Sequence, residues 1–136
     1  MGNFLAGDVA SIVCNHPTLG DLRFEPKANE SFNIDRGGIR TNDDANMITS
    51  QGKPIYQLNR VRWSVEGPIA VDFEEETDND VKKLSASPQE GTWTITMLTG
   101  VVYKGTGKPV GDIQPDTNTA QMTLKLSGGG ELEKIS

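Results

Sequence analysis

Few side chains in this sequence have the type and spacing that chemistry needs. Gly105-Thr106-Gly107-Lys108-Pro109 hints at a phosphate-binding loop. Such a loop requires Gly, four residues, Gly, Lys and then Ser or Thr, opening a helix. Pro109 stands where the hydroxyl is needed, so the segment reads as a hairpin turn. Two acidic clusters invite a calcium reading: Asp43, Asp44 and Asn46, then Glu74, Glu75, Glu76, Asp78 and Asp80. An EF-hand loop places oxygens at alternate positions, a central Gly and a Glu at the twelfth. Counting from Asp35 puts Gly37 third; counting from Asp44 puts Ile48 fifth and no acid twelfth. The first cluster reads as a solvated turn. The second reads as the acidic entry to a helix, where the dipole favours carboxylates.

His16 is the one histidine, so any triad or imidazole metal site would have to pass through it. It precedes Pro17 and reads as part of a surface turn. Cys14 is the one cysteine, which excludes an intrachain disulfide and thiol-rich zinc sites. It lies in Ile12-Val13-Cys14 and reads as a buried small hydrophobe. Any two acids could pair for glycoside chemistry, but nothing singles out a pair. The expectation is no catalysis, no metal and no cofactor.

The elements that would position these residues are strands. From Arg60 to Phe73, the odd positions Val61, Trp63, Val65, Ile69, Val71 and Phe73 are apolar and the even ones mostly polar. A period of two predicts a half-buried strand. Gly67-Pro68 interrupts it and predicts a bulge, bend or edge, because proline cannot donate to a ladder. Thr92 to Tyr103 repeats the pattern, with Trp93, Ile95, Met97, Val101 and Tyr103 alternating with threonines. Ala120 to Ser127 does so again through Met122, Leu124 and Leu126. Weaker strands are expected at Val9–Asn15 and Leu19–Glu25, joined by a His16-Pro17 turn, and at Glu131–Ser136. The predicted core is Trp63, Val65, Trp93, Ile95, Met122 and Leu124.

One helix is predicted over Thr77–Ser85, capped by Thr77 or Asp78, with Val81 and Leu84 facing a sheet. Residues 31–57 have no clean periodicity and read as a long loop. A loop this long in a compact domain is usually functional or disordered. Its scattered apolar residues suggest that it orders only against something else, such as another subunit.

The chain has 136 residues, enough for one domain with its own core. Its 13 Lys+Arg against 19 Asp+Glu give a formal net charge of -6. This excludes a general nucleic-acid coat and argues against docking on an anionic membrane. No signal-peptide pattern or membrane-length apolar run is seen, as expected for a soluble protein made inside the cell.

The pattern as a whole resembles bacteriophage tail-tube proteins, which are related to secretion-system tube proteins. The resemblance rests on Gly7-Asp8-Val9, on Arg36-Gly37-Gly38-Ile39 with Asn42-Asp43 and Met47-Ile48-Thr49, and on Trp63 through Asp72. It continues in Gly111-Asp112-Ile113, Thr117-Asn118-Thr119-Ala120 and Leu124 through Gly130. It implies a mostly β fold, an antiparallel β-barrel or sandwich with one short flanking α-helix and a long loop. Six copies would close into a ring, and rings would stack in a virion tail built in the host cytoplasm. Partners would be further copies, a sheath if the tail contracts, baseplate and terminator, with DNA passing through unbound. The loop would supply subunit contacts through Arg36, Ile39, Asn42, Asp43, Met47, Ile48, Ile55 and Tyr56. An acidic lumen would repel DNA, with Glu66, Asp72 and Glu74, Glu75 and Glu76 on polar strand faces as candidates. A terminator or baseplate hub fits the same resemblance. A competing reading is a monomeric β-sandwich module that binds carbohydrate or another ligand through the 31–57 loop.

Overall fold

The computed structural model describes residues 6–41 and 47–135. The fold is mostly β, with antiparallel sheets and one helix. The strands are β1 (Val9–His16), β2 (Gly20–Phe24), β3 (Asn33–Asp35), β4 (Gly38–Thr41), β5 (Met47–Ile48) and β6 (Pro54–Ile55). They continue as β7 (Leu58–Val61), β8 (Trp63–Ala70), β9 (Gly91–Met97), β10 (Val102–Pro109), β11 (Gln121–Gly128) and β12 (Glu133–Lys134). Helix α1 spans Thr77–Ala86, between β8 and β9. No helix among the described residues is long and apolar enough to cross a membrane.

The strand order β2-β1-β9-β10-β11-β8-β3 folds into a sandwich-like body, with β12 added alongside β10. β10 belongs to both layers. Its first part pairs with β9 and β12, and Lys108-Pro109 pair with β11. At the far side, a single bridge joins Pro26 to Ile69, so the end of β2 is tied back to β8. The ladder there is one bridge rather than a strand pair, so a sandwich describes the body and a continuously closed barrel is not shown.

Alternation drives this packing. Trp63, Val65 and Ile69 of β8 are buried, as are Met122, Leu124 and Leu126 of β11. They meet Ile12, Cys14, Phe24, Trp93 and Ile95 from the other layer. All six residues expected in the core are there. Phe24 stacks on Trp93 with centroids 5.8 Å apart. Large aromatics contribute much of such a core's burial.

Trp63 explains an otherwise odd strand. Its Nε1 donates to the Thr106 carbonyl at 3.1 Å, and Trp93 Nε1 donates to the Gly107 carbonyl at 2.9 Å. A Cβ at Gly107 would fall 2.7 Å from the Trp63 ring and 2.4 Å from the Ser127 carbonyl oxygen. The glycines leave room for the indole. Gly105–Pro109 is therefore strand, not the turn that its composition suggests. The turn lies earlier, at Leu98–Gly100, and splits the expected Thr92–Tyr103 strand into the β9–β10 hairpin.

Three further expectations need correction. Gly67-Pro68 makes no bulge: β8 pairs with β11 in unbroken register from Trp63–Gly128 to Ala70–Gln121. Gly67 is small because the Phe32 ring lies on it, 2.4 Å from where a Cβ would sit. β8 ends at Ala70, so Phe73 lies beyond the strand and is exposed. The helix begins after Glu76, which adopts a left-handed conformation and makes no side-chain cap. Thr77 Oγ1 instead accepts from the Asp72 amide, and Asp72 Oδ1 accepts from the Glu74 and Glu75 amides. Val81 and Leu84 are buried as expected.

Candidate functional site

Residues 31–57 are not a featureless loop. β3 joins the edge of β8, and β4 pairs with β7 from Gly38–Val61 to Thr41–Leu58. Further out, β5 pairs with β6, and Thr49–Lys53 closes the tip through backbone bonds. β4–β7 and β5–β6 thus make an arm of short two-stranded pairs that stands outside the sandwich's own sheet. Asn42 and Asp43 lie outside the described residues.

A two-stranded ribbon has no second layer to bury its side chains. Ile39, Met47, Ile48, Tyr56 and Leu58 are each more than 60% exposed, and Ile55 is 42% exposed. Six exposed apolar side chains on so short a segment make it the candidate interaction surface. The arm also carries Lys53, Arg60 and Arg62, all exposed and without a carboxylate in ion-pair reach among the described residues.

The base of the arm is held firmly. Gly37 and Gly38 both have positive φ, and a Cβ on Gly37 would lie 2.6 Å from the Trp63 backbone nitrogen. Asp35 Oδ1 accepts from the Gly37 amide at 2.9 Å and pairs with Arg40. These bonds to the charged form hold the Asp35 carboxyl below its ordinary value. Arg36, expected at a subunit contact, is engaged within its own chain. Its Nε and Nη2 donate to the Leu132 carbonyl at 3.2 and 3.1 Å, and its guanidinium lies over Tyr103. The Leu132 amide donates back to the Arg36 carbonyl at 2.9 Å, and the Leu132 side chain is fully buried. The C-terminal segment is a clasp on the arm's base, which sequence reasoning missed. Leu132, an apolar residue between glycines and charges, was the available signal.

The acidic candidates do not share a strand face. Glu66 is exposed on the outer face of β8, opposite Lys125 of β11. Asp72, Glu74, Glu75 and Glu76 lie on the turn between β8 and α1, all exposed. Beside them a cleft of about 300 Å³ is lined by Glu25, Asp72 and Glu75 together with Arg23.

His16 is the last residue of β1, just before the turn at residues 17–19, and is buried, at 5% exposure, rather than on the surface. Its Nδ1 accepts from the Thr18 and Leu19 amides at 3.1 Å each, and Nε2 faces the Gln89 carbonyl at 3.3 Å. The ring ties the β1–β2 turn to the segment after α1. Cys14 is fully buried, and that burial pushes its thiol up to about 11. No group of three metal-ligating side chains occurs among the described residues. No family model matches the chain, and no curated protein matches it.

Proposed function

We propose that this chain is a structural subunit of a phage tail tube, forming stacked rings, six copies to a ring, whose lumen conducts DNA. The carrying observation is the arm: an apolar, exposed ribbon standing on a body that already has its own core. An exposed ribbon of this kind gains stability by covering its apolar faces with another chain. The arm residues Ile39, Met47, Ile48, Ile55 and Tyr56 are the subunit contacts in this reading, with Arg36 fixing the arm's base.

Charge supports passage rather than retention of DNA. Six copies at -6 each carry about -36 formal charges per ring, which repels a polyanion from the wall. Glu66, on an outer sheet face, is the lumen candidate placed on a strand. Sheath, baseplate and terminator proteins are the further partners of such a tube, and the virion tail is its place.

Light scattering on the purified chain, with negative-stain microscopy, tests the proposal. Rings or tubes that grow with concentration are expected. A persistent ~15 kDa monomer at high concentration overturns the proposal and favours a monomeric binding module.

A further inference from the structure

The sequence separates charge sharply between the two regions. Residues 36–62 hold five cations and two acids, a net +3, so the rest of the chain carries -9. The acids concentrate just after β8. From Asp72 to Asp80 there are six carboxylates and no cation, and Phe73 among them is 43% exposed. The acidic segment therefore offers what the arm lacks, negative charge beside an exposed apolar side chain.

The two surfaces sit at opposite ends of one strand. The arm returns to the body at Trp63, the first residue of β8, and the acidic segment starts two residues after Ala70, its last. Eight strand residues span about 25 Å. The arm's exposed side chains show that it does not lie back along its own sandwich. A surface at one end that complements a surface at the other makes a head-to-tail contact between copies, and such contacts propagate into rings or filaments.

We propose that the β4–β7 arm of one copy docks on the Asp72–Asp80 segment of the next, with Lys53, Arg60 and Arg62 facing its carboxylates and the arm's apolar side chains covering Phe73. This contact presupposes the self-assembly proposed above and names its two faces. It also gives Asp72, Glu74, Glu75 and Glu76 a role in assembly rather than in the lumen. A cleft of about 300 Å³ beside these carboxylates is lined by Glu25, Asp72 and Glu75 together with Arg23.

The test is charge reversal on the full chain, read as the concentration at which light scattering detects half-assembly. Arg60→Glu with Arg62→Glu, or Glu74→Lys with Glu75→Lys, should each raise that concentration by at least ~10-fold, since like charges across an interface are strongly unfavourable. Combining both pairs should restore it to within about threefold of the parent. High salt should weaken assembly of the parent chain more than that of neutral variants. Should a reversal impair folding, Arg60→Gln and Glu75→Gln replace it, and coupling between them in a double-mutant cycle is the expected result. Assembly that tolerates either reversal, or a combined variant no better than the worse single one, overturns the docking while leaving self-assembly standing. A parent chain that never assembles overturns both.

Discussion

The sandwich and the arm are built from the same element, the antiparallel strand pair, and differ in what lies behind it. In the sandwich, each strand has a second layer to face. Trp63, Ile95 and Leu126 are fully buried, and the buried Trp indoles find backbone acceptors. In the arm, β4 and β7 pair with each other alone, and the apolar side chains on both faces stay in water. A two-stranded ribbon is marginal by itself. What holds this one is its base: Gly37 packed against the Trp63 backbone, Gly38 against the Glu131 side chain, and Arg36 locked to Leu132. The body is therefore stable for its own reasons, while the arm is positioned by the body and available to others.

The sharpest way to break this contrast is at Trp63, which belongs to the core and also lies next to the arm's base. Trp63→Ala should cost roughly 3–5 kcal/mol, as for other buried aromatics, because the glycine-lined space cannot refill. Chemical denaturation with a two-state fit checks it. A loss below about 1 kcal/mol would mean that the body does not depend on this packing.

Leu132→Ala comes next, at roughly 2–4 kcal/mol. It should also loosen the arm, since Leu132 seats the segment that Arg36 grips. Amide exchange at Gly37–Thr41 and Leu58–Val61 should rise more than at β9. Equal increases everywhere would show that the C-terminal clasp serves the body alone.

Where burial is two-layered, the sequence is readable. Alternation located β8 and β11 to within a few residues and found the six core positions, because each inward side chain had to be apolar. Where a second layer is missing, the signal disappears. Along β4–β7 both faces meet water, so Arg40, Asn59 and Arg60 interleave with Ile39 and Leu58 without selection for a period. Glycine misled in the other direction. Gly105 and Gly107 read as turn residues, but they are small because an indole from β8 occupies their side of the sheet. That constraint comes from a residue more than forty positions away. The helix starts at Thr77 as expected, yet neither Thr77 nor Asp78 caps it: Thr77 and Asp72 satisfy each other across the turn, so the residue types of a cap are present without its geometry. The apolar content of the candidate arm was legible, and its ribbon form and its clasp were not, since both depend on pairings between distant segments.

Two side chains report separately on the two regions. Cys14 lies inside the body, with its thiol at about 11 against an ordinary 9.0. Native thiolate at neutral pH should be about 100-fold scarcer than in the unfolded chain, and alkylation slower by at least that factor. The neutral thiol is the form the fold favours, so its contribution is full below pH 9.0 and declines as pH rises towards 11. Met47, on the arm and 65% exposed, should oxidise with dilute peroxide at the rate of an open methionine and slow on assembly. Rapid native alkylation of Cys14 would contradict the closed body, and slow Met47 oxidation in dilute monomer would contradict the open arm.

The smallest effect concerns Asp35, at the junction of the two regions. Its carboxylate holds the Gly37 amide and Arg40, and both interactions keep it ionised below its ordinary range. A carboxyl whose native value is depressed adds stability above its unfolded value of about 3.8, and loses it as pH falls through the native value. The site is open to water, so the pair is worth less than about 1 kcal/mol. Asp35→Asn should therefore leave the body's melting nearly unchanged at pH 7 and raise amide exchange at Gly37 and Gly38. The difference in exchange should shrink as pH falls through the lowered native value, and also in 1 M salt, where exposed pairs are screened. A difference that 1 M salt leaves unchanged would mean that the side chain's shape, rather than its charge, sets the angle at which the arm leaves the sandwich.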